Sequence, residues 1–314
     1  MANVSIWGWV LFVIFILAAI AFDLDLFRKK GEVDFEMSVR DAALRSVAWI
    51  ALAVLFGLGV MVMYGSSTGI TFLTAYFLEE SLSIDNIFVF VLIFSQLRIP
   101  AALQRRVLVL GVVGALIARG LIIAAGIEVL SRFHWVIYPF AALIIFAAVR
   151  LLFGEKKQRD IVIAACAVCS TWVARIIPIT PFFHGHHFIV RQKGRLVATP
   201  LLVALIIVET TDVVFALDSV PAVLAVTRNP FLVYTSNVFA MLGLRSLYFV
   251  LAGAVERFRY LRAGLAAILV FFGARLLLTD VIAVPNHLSL AVIAAALGLS
   301  VIASLRWPRL TIPD

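Results

Sequence analysis

The chain has 314 residues, 64% of them hydrophobic and 14% charged, with a mean hydropathy of +1.11. Apolar runs of about 20 residues recur along its whole length, which excludes a soluble domain and marks an all-α, polytopic membrane protein. The net charge of +8 does not indicate a nucleic-acid partner, because the basic residues are distributed by topology rather than as a patch.

In chain order the runs predict about nine transmembrane helices, at 4–26, 42–64, 71–96, 107–130, 134–153, 198–227, 231–253, 263–279 and 285–305. Without water in the bilayer core each must close its own backbone hydrogen bonds as a helix. Arg119, Arg150, Arg245 and Arg275 lie in spans or at their ends. The other 22 of the 26 basic residues lie in loops, termini and span edges, and alternate segments hold 20 and 2 of them. This positive-inside pattern puts the protein in the cell (plasma or inner) membrane, with the N-terminus outside, the C-terminus in the cytoplasm and an odd number of spans. The first run, with Ala19-Ile20-Ala21, has some look of a signal peptide. It lacks a basic flank, and the charge alternation needs it as a span.

Asp23 and Asp25 close that first span, either as a funnel for cations or as a polar helix end. The third span carries Glu79-Glu80-Ser81-Leu82-Ser83-Ile84-Asp85-Asn86, and the sixth carries Glu209-Thr210-Thr211-Asp212 followed by Leu217-Asp218-Ser219-Val220-Pro221. Glu79 precedes Asp85 by six residues, and Asp212 precedes Asp218 by six. An ionised carboxylate at the bilayer centre costs about 3 kcal/mol, so these acids need a cation, a proton or an arginine.

Other parts of the sequence repeat in the same order. Residues 141–152 align without gaps on 266–277, bringing Arg150 onto Arg275, and Arg119 corresponds to Arg245. The sequence therefore reads as a single transmembrane domain over 1–314, with one three-helix unit at 71–153 and a second at 198–279. Three helices is an odd number, so the second unit enters the membrane inverted, an arrangement typical of transporters with a midplane site. The connection at 154–197 is read as a cytoplasmic loop whose apolar stretch, 161–174, is too short to span and is expected to form an interfacial or re-entrant helix.

Carboxylate, amide and hydroxyl oxygens form a hard ligand set, suited to Mn, Ca or Mg. The candidate metal ligands are Asp85, Asp218, Asp212, Glu79, Glu209, Asn86 and Ser219. Pro221 cannot donate to the carbonyl of Leu217, and a helix break there would help Glu209 and Asp218 face one site. The competing reading is that the acids are matched by the four arginines as buried ion pairs. Arg119 and Arg245 are expected to be counter-ions rather than ligands. Cys166 and Cys169 form a single CxxC in a reducing compartment, so neither a disulfide nor a zinc site is expected. His184, His186 and His187 lie in the same loop without a neighbouring acid or thiol.

The stretches 79–90, 208–222 and 227–240, with His184-Gly185 and 198–201, resemble the TerC family of integral membrane proteins, including its Alx-type members, over roughly residues 20–300. The resemblance implies kinship with LysE-type exporters and export of manganese. It also implies functional acids at Glu79, Asp85, Glu209, Asp212 and Asp218. No enzymatic activity and no resident cofactor are expected. The expected partners are a divalent cation as substrate, the lipid bilayer and, from the resemblance, the secretion machinery. A membrane scaffold that passes manganese to secreted enzymes at the translocon is the alternative. An intramembrane aspartyl protease is disfavoured because Asp85 and Asp218 lack a glycine-rich context, and the chain has no nucleotide-binding motif.

Overall fold

The computed structural model describes residues 6–23, 38–153, 155–192, 194–252, 260–279, 281–282 and 284–306. They form ten α-helices: α1 (Ile6–Asp23), α2 (Val39–Tyr64), α3 (Ser66–Gln96), α4 (Ala101–Arg132), α5 (Ile137–Phe153), α6 (Glu155–Ile176), α7 (Pro200–Leu224), α8 (Pro230–Ala252), α9 (Leu261–Leu277) and α10 (Asn286–Arg306). All nine expected spans correspond to helices. Among the described residues six helices are long and apolar enough to cross a bilayer: α2, α4, α5 with the turn before it, α7, α8 and α10. α3 has the length, at 31 residues, but carries Glu79, Glu80 and Asp85. α1 and α9 are shorter, at 18 and 17 residues.

Local chemistry sets the helix ends. Ser38 caps α2, its Oγ accepting from the Asp41 amide at 3.1 Å, and Gly65 ends it at φ +92°, a conformation that side chains resist. α7 begins with Pro200, whose missing N–H is not needed in a first turn. The Asn229 side chain accepts from the Phe231 amide at 3.0 Å at the start of α8.

The tenth helix is α6. Residues 155–176 are continuous helix, longer than the 161–174 stretch expected, because Glu155 to Asp160 are good helix formers that add a polar first turn and a half. The 154–197 connection also holds a β-hairpin, β1 (Ile189–Gln192) with β2 (Arg195–Ala198), pairing Ile189 with Ala198 and Gln192 with Arg195 around Gly194. Thr199 joins this hairpin to α7 by donating to the His187 carbonyl at 2.8 Å.

α3 and α8 are the most enclosed helices and pack on each other. The closest partnerships are α3 with α8, α4 with α7, and α5 with α9. If α3, α4 and α5 are equated with α7, α8 and α9, the first two contacts exchange and the third maps onto itself, so the packing is compatible with the repeat. Around this centre the outward side chains are apolar: Leu11, Leu55, Val62, Ile117, Leu121, Phe146 and Leu299 are all exposed. A continuous apolar rim of this kind fits lipid, not water.

Close helix approach depends on small residues. A Cβ at Gly69 of α3 would lie 2.8 Å from Met61 Cα and 2.9 Å from the Gly57 carbonyl of α2. Gly69→Val should therefore pry α2 from α3 and cost about 1–3 kcal/mol. Gly59, with nothing within 4 Å of its Cβ position, should accept Ala without loss. Thermal unfolding of the detergent-solubilised protein compares the two, and equal midpoints would contradict the close crossing.

Candidate functional site

The centre of the molecule is a buried guanidinium between two acidic helices. Arg119 projects from α4 towards α3 and α7. Its Nε and Nη2 donate to Asp212 Oδ2 and Oδ1, both at 3.0 Å, in a bidentate pair. Its Nη1 donates to Glu79 Oε1 and lies 3.4 Å from Ser219 Oγ, which is itself 3.4 Å from Glu79 Oε1. Arg119 is 1% exposed, Glu79 0% and Asp212 2%, so the interaction is dry and the charges cannot be left to solvent.

The structure brings together Glu79, Asp212, Ser219 and Arg119. Asp218 lies within electrostatic range of Asp85 on α3, of Arg150 on α5 and of Arg119. Asn86 is buried on α3, one residue beyond Asp85. Glu209 is less closely held: it is in electrostatic range of Asp212, but its carboxyl fills the space where a Cβ would stand on Gly114 of α4. Among the described residues no three acids, histidines or cysteines converge closely enough to hold a metal ion. The guanidinium stands between Glu79 and Asp212.

Several expectations change here. α7 runs unbroken from Pro200 to Leu224 with Pro221 inside it. Pro221 stands in the last turn, where one missing hydrogen bond shortens the helix end rather than breaking its middle. The four arginines are not equivalent counter-ions. Arg275 donates to Ser289 Oγ at 2.7 Å and to Asn286 Oδ1 at 2.6 Å, and Asn286 continues to Thr71 at 2.6 Å. Both of these acceptors are neutral side chains on α10. Arg245 borders a small, mainly apolar cavity of about 20 Å³, lined by Leu108, Gly111, Val208 and Leu244 among others. His184 engages Gln192 at 2.9 Å. Asp25 and the Asp23 side chain lie outside the described residues.

Sequence reasoning did not anticipate that Glu80 has surroundings of its own. It is 9% exposed and faces α8, with its carboxyl oxygens 3.5 Å from where a Cβ on Gly243 would be. The available signal was helical spacing: residues 79 and 80 point about 100° apart on an α-helix.

Apolar outer faces around a buried acid–arginine centre define a polytopic helical membrane protein with a charged interior. The chain matches the integral membrane protein TerC family across residues 64–310 and belongs to that family. It is 48% identical to an uncharacterized membrane protein of Myxococcus xanthus over 297 residues, 95% of this chain and 91% of the relative. Proteins named, provisionally, as the membrane-bound redox modulator Alx are also similar. That of Photorhabdus laumondii is 42% identical over 302 residues, 94% of this chain and 93% of the relative. That of Escherichia coli K12 is 40% identical over 305 residues, 95% and 93% of the two chains. No solved structure matches.

Removing Arg119 leaves Glu79 and Asp212 buried without a counter-charge. Arg119→Gln should destabilise the protein by about 3–5 kcal/mol. Adding Asp212→Asn should recover part of that loss by removing one uncompensated charge. Thermal unfolding in detergent reads both, and an additive double mutant would mean the two side chains are not coupled.

Proposed function

We propose that the protein is a secondary transporter that exports a divalent cation, Mn²⁺ foremost, from the cytoplasm. The observation that carries this reading is that two buried carboxylates, Glu79 and Asp212, share the single positive charge of Arg119, with Asp218 in electrostatic range of Asp85, Arg150 and Arg119. A purely structural ion-pair network would need a better match of charges. A carrier needs acids that a cation can occupy and leave.

Arg119 has a specific role in this reading. In the conformation described it pairs with both Glu79 and Asp212 and balances one of their two charges. An arriving dication competes for the same oxygens and balances both, while the displaced guanidinium turns to Asp218, which lies in its electrostatic range. Carboxylates supplemented by the Asn86 amide and the Ser219 hydroxyl favour a hard ion, and the choice of manganese follows the family resemblance. The gradient of another cation or of protons supplies the energy, and the reading includes no covalent chemistry. The two three-helix units would provide alternate openings, with the N-terminus outside and the 154–197 segment in the cytoplasm.

⁵⁴Mn²⁺ uptake into inverted membrane vesicles tests the activity. Wild-type vesicles should accumulate the label, and Asp85→Asn and Asp218→Asn should reduce accumulation to background while leaving the protein folded. Wild-type rates in both variants would remove these two aspartates from the site. If deletion of the protein leaves total cellular manganese unchanged but lowers the metalation of secreted enzymes, delivery at the translocon replaces export as the account. Orientation is tested by labelling a cysteine placed at Arg195 in a chain lacking Cys166 and Cys169. Labelling only from the cytoplasmic side is expected, and labelling from outside would reverse the topology.

A further inference from the structure

Beside the acid–arginine centre, α3 and α8 enclose a second group of oxygens that the proposed export site does not use. Tyr76, Glu80 and Ser83 recur at helical spacing, so they share one face of α3. The facing stripe of α8 is Phe239, Gly243 and Ser246. The alignment of the two stripes is fixed by contacts at two levels: Phe72 meets Phe239 with ring centroids 6.1 Å apart, and Glu80 meets Gly243 further along both helices. The helices therefore run in the same direction, and Ser83 and Ser246 both follow one turn after the Glu80–Gly243 level.

Tyr76 is 0% exposed, and Ser83 and Ser246 are each 1%. Among the described residues Tyr76 Oη, Glu80 Oε2, Ser83 Oγ and Ser246 Oγ all lack a hydrogen-bond partner. Tyr76 is close enough to interact with Glu80, but without full hydrogen-bond geometry. Orphaned oxygens of this kind are rare in folded proteins, and several in one seam call for a common partner. Arg245, the nearest arginine on α8, stands about 200° round the helix from Gly243 and borders a cavity with Leu108 and Val208. Gly243 matters for the same seam, since a side chain there would occupy the space in front of the Glu80 carboxyl.

We propose that Tyr76, Glu80, Ser83 and Ser246 form a binding site for a monovalent cation of the Na⁺ type, which serves as the counter-ion of export. The counter-ion role rests on the export reading above; the binding site itself does not. One carboxylate calls for one positive charge, and the phenol and hydroxyl oxygens supply neutral lone pairs around it. A proton would satisfy Glu80, with Tyr76 beside it, and leave the two serine oxygens without a partner. A dication would leave a net charge in the low dielectric. The site shares α3 with Glu79, so occupancy of one site can bias the helix position that the other requires, which is the physical basis of exchange.

The test uses the full chain, purified and reconstituted. Saturable binding of ²²Na⁺ is expected, and Glu80→Gln should abolish it. Ser83→Ala and Ser246→Ala, which barely change volume, should each weaken it by about three- to tenfold through loss of one oxygen. In vesicles, Mn²⁺ flux should be accelerated by Na⁺ on the opposite side relative to choline, with ²²Na⁺ moving against Mn²⁺. Glu80→Gln should keep Mn²⁺ binding and lose the Na⁺ dependence, whereas Asp85→Asn should lose Mn²⁺ binding. Absence of saturable ²²Na⁺ binding in the wild type, or undiminished binding in both serine variants and Glu80→Gln, would overturn the site and leave a water-filled seam. If Na⁺ binds as expected but wild-type protein moves no Mn²⁺, the site stands and the export reading falls. Mn²⁺ flux coupled to protons and indifferent to Na⁺ would overturn the counter-ion role.

Discussion

Charge cannot be left uncompensated in a medium that does not solvate it, and the arrangement around Arg119 follows from that constraint. Glu79 and Asp212 come from different helices, and neither is within reach of water. Among the described residues their ionic partner is the guanidinium of a third helix, α4. The three helices are therefore joined at the centre by electrostatics, while their remaining contact is apolar and could in principle slide. Lipid offers little hydrophobic drive for helices to associate. A buried, bidentate and doubly paired arginine provides the specificity that apolar surfaces lack.

The glycines belong to the same logic. Gly57 and Gly69 let α2 and α3 approach until backbone touches side chain, which gives dispersion contacts where hydrophobicity gives little. Gly114 and Gly243 do something different. Each leaves space on a middle helix of one unit for a carboxyl from the other unit, Glu209 against Gly114 and Glu80 against Gly243. Acids that would otherwise face lipid are thus folded into pockets between helices. This related placement on α7 and α3 is compatible with the repeat read from the sequence.

The aromatic residues set the limit of the polar centre on one side. Phe12, Phe56, Phe72, Phe231 and Phe239, from four helices, meet with ring centroids between 5.0 and 6.3 Å apart. They tie α1 to α2, α3 and α8 and seal the seam just before Tyr76. Rings pack with little loss of side-chain freedom, so the cluster acts as a rigid wall against which the polar groups of α3 and α8 are held.

The sequence by itself determined the helices, because hydropathy and length follow directly from the cost of unpaired backbone in hydrocarbon. It also determined the family, and it marked Glu79, Asp85, Asp212 and Asp218 as acids set in apolar surroundings. What it left open was how the acids are shared. Arg119 and Arg275 look alike in sequence, each an arginine in an apolar helix, yet one is held by two carboxylates and the other by Ser289 and Asn286. Glu79 and Glu80 are neighbours in the chain, yet they serve different interfaces. Side-chain direction around a helix sets which neighbour is available, and only the packing of α3 against α4, α7 and α8 decides which neighbour is there. The apolar run 161–174 marked the α6 helix in advance, but its polar start at 155–160 and the hairpin after it were obscured for a related reason. The hairpin's polar and apolar residues form no long run, so its structure depends on docking against α7 and Thr199 rather than on local pattern.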